Sequence, residues 1–156
     1  MIKTGNLIES DDPFNLTRFI EAQRDSYDNA LAELQRGTKR THWMWYIFPQ
    51  IHGLGRSADS RLYGIKSLEE AQRYLDHPIL GVRLLKCTEA VLKINGRTVS
   101  EIFGYPDDLK FKSSMTLFEC ASNSGSLFTQ ALEKYFNGER DQRTHSLLEN
   151  LTEKSK

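Results

Sequence analysis

Residues 39–60 read KRTHWMWYIFPQIHGLGRSADS, and the fold class turns on how 41–48 folds. Aromatic enrichment favours a strand. Against that, Trp43, Met44, Ile47, Phe48 and Ile51 recur at i, i+1, i+4, i+5 and i+8, the rhythm of a buried helix. Thr41 is placed to cap that helix, and Pro49 discourages its continuation. The spacing predicts a helix. With that choice no segment is left as a confident strand, and an all-α fold follows. His52 to Ser60 reads as a loop, because Gly53 and Gly55 reach positive φ cheaply.

Upstream, Asp11 or Asp12 can cap a helix with Pro13 in its first turn. Phe14, Phe19, Ile20 and Ala22 supply its apolar stripe. A second helix is predicted from about Tyr27 to Gln35, ended by Gly37 as a left-handed cap; the two can also be one bent helix. Downstream, Ser67 and Glu70 form a capping box for a helix to about Asp76. Pro78 opens a longer helix to about Ile94, with Asn95-Gly96 ending it. Thr98 and Glu101 form a second capping box, for a single turn stopped by Gly104. Pro106 begins a helix through Leu109, Met115, Phe118 and Ala121. Ser124 or Ser126 precedes a helix ended by Gly138, and a last one spans about Gln142 to Leu151. The prediction is a single multihelical domain over 12–151 of about seven short helices, with 1–11 and 152–156 as flexible ends.

The bulk numbers agree. A chain of 156 residues suits one domain and needs no metal or disulfide staple. Lysine and arginine number 21 against 21 acids, so net charge is zero. A dedicated nucleic-acid binder shows a basic excess, and that class loses weight. No run of about 20 apolar residues is present to span a membrane, nor a signal peptide, and a cytoplasmic location is expected. Cys87 and Cys120 lack metal-like spacing and sit in helical apolar patterns, as buried free thiols do.

Several stretches resemble an uncharacterised bacterial and fungal family, number 1810 of the domain-of-unknown-function series. They are DPFNLTRFIEAQ at 12–23, the whole of 27–57, YLDHPILGVRLL at 74–85, IFGYPDDLKFKSSMTLF at 102–118, and Asp141 with Thr144. Together they span roughly residues 12–148. The resemblance implies a mostly α-helical fold and brings no established activity, cofactor or catalytic residue. Members are often mislabelled calpastatin. Calpain-inhibiting repeats belong to disordered chains, and this composition is globular.

Two constellations carry candidate chemistry. The first is Lys39, Arg40, His42 and Gln50, with Ser57 and Ser60 beyond the glycines. Cations with glycine and serine amides suit an anion or a phosphate, although GLGRS at 53–57 is not a phosphate loop. The alternative is a solvated basic turn leading into a core. Trp43 and Phe48 read as core. Trp45 and Tyr46 share a helical side with His42 and Pro49, which suits a pocket wall as well as core. The second constellation is PDDLKFKSSMT at 106–116. Asp107 and Asp108 suit a helix start, while Lys110 adds a cation. The hydroxyls of Ser113, Ser114 and Thr116 are poor helix formers in an apolar segment and need partners, either the His42 loop or a ligand.

His77 is a candidate acid or base, or a helix-end cap. No zinc-like histidine or cysteine spacing and no G-x-S-x-G nucleophile elbow occurs. The leading expectation is a pocket for a phosphorylated or nucleotide-like small molecule, an anion, beside an aromatic wall, with no cofactor named. In an enzyme, His42 or Asp107 would be the acid or base. The rival is a protein-interaction module using the Trp45–Tyr46 face, with no partner named. Weak RNA binding through Arg36, Lys39 and Arg40 is a third reading.

Overall fold

One helix, Asp107–Cys120, is buried on nearly every side. Phe111, Met115, Leu117 and Phe118 are out of water, and so are Ser113, Ser114 and Thr116. The rest of the molecule is wrapped around it. The computed structural model describes residues 12–155, with side chains to Leu151. In chain order the helices are α1 (Thr17–Gln23), α2 (Tyr27–Gln35), α3 (Met44–Ile47), α4 (Ala58–Tyr63), α5 (Leu68–Asp76), α6 (Leu80–Leu92), α7 (Val99–Phe103), α8 (Asp107–Cys120), α9 (Leu127–Phe136) and α10 (Gln142–Ser155). Seven of these have seven residues or more. No strand forms among the described residues, and the all-α expectation holds. The expected loose ends lie outside the described residues, except that the backbone of 152–155 continues α10.

Helix α8 packs against α3, α5, α7, α9 and α10, while α6 packs against α2, α3, α5 and α9. Aromatic rings carry the core between them. Phe111 is stacked on Phe103 at 4.7 Å and meets Phe48 edge-on at 5.0 Å. Phe118 touches Tyr74, which meets Phe19 edge-on at 5.1 Å. Each fully buried ring contributes roughly 1.5–3 kcal/mol by area. Where α5 meets α6, Gly81 is required by space: a Cβ there would lie 2.0 Å from the Leu75 carbonyl oxygen.

Several ends form as the sequence predicts. Tyr27–Gln35 is a helix, and Gly37 follows it at φ +90°. Thr98 and Glu101 close a complete capping box. The Ser67 box is half-formed. Ser67 accepts from the Glu70 amide, but the Glu70 carboxylate takes the Lys66 amide and the Arg18 guanidinium instead. The predicted helix over 41–48 shrinks to the single turn α3, and Thr41 does not cap it. A helix forms over 58–63, so the predicted loop of 52–60 ends early, at Ser57. This α4 is capped by Ser57, whose side chain accepts from the Ser60 amide, and it buries no side chain. An apolar pattern therefore could not reveal it. Between these turns, residues 50–52 pair with Ile65 in one isolated parallel bridge, through His52 N–H to Ile65 O and Ile65 N–H to Gln50 O.

Candidate functional site

The loop before α3 is organised by Glu33. Its buried carboxylate accepts from the amides of Arg40 and Thr41, the Thr41 hydroxyl, the Asn29 amide and the Trp43 indole. Burial by itself raises the Glu33 pKa. The hydrogen bonds from Thr41, Arg40 and Trp43 outweigh it and hold the value at about 2. A carboxylate so surrounded stays ionised and clamps residues 40–43 onto α2. Gln23 then fixes the far end of α3, donating to the Tyr46 carbonyl at 2.8 Å and to the Tyr74 hydroxyl at 3.0 Å.

With α3 pinned at both ends, the two constellations meet. Lys39 Nζ lies 2.9 Å from Asp107 Oδ2, donates to Thr41 O at 2.6 Å, and sits 5.0 Å from the centre of the Trp43 ring. Lys110 Nζ lies 3.5 Å from Asp107 Oδ1 and 4.8 Å from the centre of the Trp45 ring. Asp107 is therefore bracketed by two lysines. Trp45 has a cation on its face, an attraction worth about 0.5–2 kcal/mol.

Behind Trp45 runs a crevice between α3 and α4, lined by Trp45, Gln50, Ile51, Asp59, Ser60 and Tyr63. Its free space is ≈ 10 Å³, about one water. Three buried polar atoms have no hydrogen-bond partner among the described residues: Trp45 Nε1, His52 Nδ1 and Ser114 Oγ. Trp45 walls the crevice. His52 presses on Gly64 at its end, where a Cβ would come within 2.9 Å of Nδ1. Ser114 lies one helical turn beyond Lys110. Each unpaired buried group costs about 1–3 kcal/mol.

The other predicted residues divide. Ser113 donates to Asp141 Oδ2 at 3.0 Å, and Thr116 accepts from the Asp141 amide at 2.9 Å. Asp141 in turn caps α10 through Thr144. Those two hydroxyls hold α10 and do not meet the His42 loop. Ser57 caps α4 by accepting from the Ser60 amide and donates to the Ser60 hydroxyl, and Gln50 donates to Phe48 O. Tyr46 and Trp45 do not form one wall: the Tyr46 hydroxyl pairs with Ser26 Oγ at 2.9 Å and its ring with Tyr63 at 5.4 Å. Neighbouring residues project about 100° apart on a helix, so the two rings diverge. Arg40 and His42 are exposed. Trp43 and Phe48 are core, and Cys87 is a buried thiol raised to about 12 by burial. Cys120 is exposed, contrary to expectation. His77 Nδ1 accepts from the Ile79 and Leu80 amides and caps α6. The residues missed by sequence reasoning are Glu33, His52, Asp59 and Tyr63. The signal for Glu33 was indirect, since a buried indole N–H needs an acceptor.

The sequence profile of the family described as protein of unknown function (DUF1810) matches residues 13–148. The chain belongs to that family. A solved structure similar to this chain is that of the conserved hypothetical protein Rv1873 from Mycobacterium tuberculosis. It is 52% identical, with 88% of this chain and 98% of that one covered, and the TM-score is 0.86. No curated protein matches the chain. No described helix is long and apolar enough to cross a membrane.

Proposed function

We propose that this family member is a cytosolic protein that binds a phosphorylated or nucleotide-like small molecule beside α3, which packs on both α4 and α8. One observation carries the reading. Trp45 Nε1, His52 Nδ1 and Ser114 Oγ are buried without partners among the described residues, the helix that carries Trp45 packs on the helix that carries Ser114, and buried polar groups otherwise find partners. Two of these atoms, indole N–H and hydroxyl, can donate, and Lys110 adds a positive charge over Trp45. That set favours anionic oxygen beside a flat ring. The crevice must widen to admit a ligand. Helix α4 is the wall proposed to move: none of its side chains is fully buried, it lies between Gly55 and Gly64, and its Tyr63 ring, on Phe19 and Tyr46, is the contact that must give. Asp107, held between two lysines, has the surroundings of an ion-pair partner more than of a free base.

The test is a thermal-shift screen with nucleotides, dinucleotides and sugar phosphates. A ligand at about 100 times its Kd adds roughly 2.7 kcal/mol, or roughly 5–10 °C for a domain of this size. The expected hit is abolished by Lys110→Ala and by Trp45→Leu. A flat screen on folded protein, or a hit indifferent to both changes, would remove the reading. A protein-interaction reading then gains, on a face other than the expected Trp45–Tyr46 one: Tyr105 (81% exposed) precedes α8 and Leu109 (49% exposed) lies in its first turn. Loss of a partner on Tyr105→Ser would be its signature.

A further inference from the structure

A second concave surface lies away from α3. Helices α2 and α6 run side by side in the same direction: Arg83, early in α6, covers the Tyr27 ring at the start of α2. Their C-terminal ends open together into a cleft of ≈ 560 Å³. Its walls carry four cations, Arg36, Lys86, Lys93 and Arg97, against the single carboxylate of Glu89. Leu31, Ala90 and Ile94 add an apolar surface.

The charges at this cleft are not consumed internally. Lys93 makes a loose, exposed contact with Glu89 at 3.8 Å. The side chains of Arg36, Lys86 and Arg97 have no ion pair or hydrogen bond among the described residues. Two helix C-termini contribute about half a negative charge each, so the cleft keeps an excess of about two positive charges. At the α2 end the carbonyls are taken by the amides of Arg36, Gly37 and Thr38, and at the α6 end by α9. Lys134 Nζ takes Leu92 O at 2.6 Å and Ile94 O at 2.7 Å, and the Tyr135 hydroxyl takes Val91 O at 2.6 Å. The same bonds hold the 92–95 segment in place. Arg97 lies against Gly37, where a Cβ would meet its Cδ and Nε at 3.5 Å.

We infer that this cleft binds an oligophosphate, either a free one or the phosphate chain of a small molecule. The cleft volume falls in the range of about 300–1,000 Å³ usual for small-ligand sites, and arginine and lysine donors are the groups that hold phosphate. Nucleic acid would call for a basic excess over the whole domain, and the net charge is zero. The inference is independent of the α3–α8 reading.

Calorimetric titration of the full chain at low salt tests it, with pyrophosphate, ADP, adenosine and a single-stranded oligonucleotide as probes. Pyrophosphate and ADP are expected to bind and adenosine not to. Arg97→Ala and Lys86→Ala are expected to weaken binding roughly tenfold or more each, as lost charge-assisted contacts do, with unchanged melting temperature. Lys110→Ala is expected to leave this affinity alone, which separates the cleft from the α3–α8 junction. Tighter binding of ADP than of pyrophosphate would identify a nucleotide's phosphate chain, and the reverse a free anion. Absence of binding by both up to millimolar concentration overturns the inference. So does binding that survives the Lys86→Ala/Arg97→Ala double change, and so does a preference for the oligonucleotide over both small probes.

Discussion

Glu33 shows how one residue can set a loop. Its pKa of about 2 lies below the ordinary 4.5. Its stabilisation is therefore complete above pH 4.5 and is lost as pH falls from there toward 2. The displacement corresponds to roughly 3 kcal/mol. Glu33→Gln keeps the shape but turns an amide group toward donors. It should cost about 2–4 kcal/mol at neutral pH, and the difference from the parent should shrink as pH falls through that window. Urea midpoints measured between pH 7 and pH 3 check both; a constant difference would contradict the assignment. Ser114 predicts the opposite sign. Its hydroxyl is buried without a partner, and alanine is a better helix former. Ser114→Ala should stabilise the free protein by about 1 kcal/mol while weakening any ligand at the α3–α8 junction. A lower melting temperature would show that the hydroxyl has a partner after all. Neither residue was legible for these roles. Four of the five donors to Glu33 lie seven to ten positions away in irregular chain, and only Asn29 is one helical turn off. For Ser114, the sequence showed only that a hydroxyl in an apolar segment needs explaining.

At the scale of elements, legibility follows burial pattern. Helices α2, α5, α6 and α9 carry one apolar stripe and a recognisable cap, and each was readable. Helix α4 carries neither stripe nor buried residue, and only its Ser57 cap betrays it. The segment 13–16 looked like a first helical turn. Instead Asp12 reaches over an irregular turn, with Asn15 at φ +53°, to accept from the Leu16 and Thr17 amides. The D-x-x-T pattern was legible as part of a resemblance, whereas its job was not. Asp141 caps α10 and at the same time receives Ser113. Asp141→Ala removes the cap, worth about 1 kcal/mol, and strands the buried Thr144 hydroxyl at about 1–3 kcal/mol, while Ser113 keeps the Leu109 carbonyl. The expected outcome is a helix that frays: protease cleavage in 137–145 should accelerate well before the rest of the chain unfolds. Cleavage only on global melting would show that apolar contacts alone hold α10.

For the molecule as a whole, the sequence showed one helical domain and left open whether 39–60 and 106–116 meet. They do, through Lys39–Asp107 and Lys110 over Trp45. No spacing rule forecasts that contact, because it depends on α3 being pinned by Glu33 and Gln23. The burial pattern sets an order of opening. Amides of α6 and α8, packed on several sides, should exchange with solvent only at the free energy of global unfolding, and those of α4 far faster. Hydrogen exchange followed by mass spectrometry reads this directly, and protection of α4 equal to that of α8 would exclude it as a moving wall. The hydroxyls of α8 have a last consequence, for alignment. An apolar seam between two helices tolerates sliding by a turn, since one leucine replaces another. The Ser113–Asp141–Thr116 bonds work at one axial offset only, so the C-terminal helix is keyed to the central one like a ratchet tooth, and a misaligned chain would be left with exposed mismatches instead of a near-native alternative.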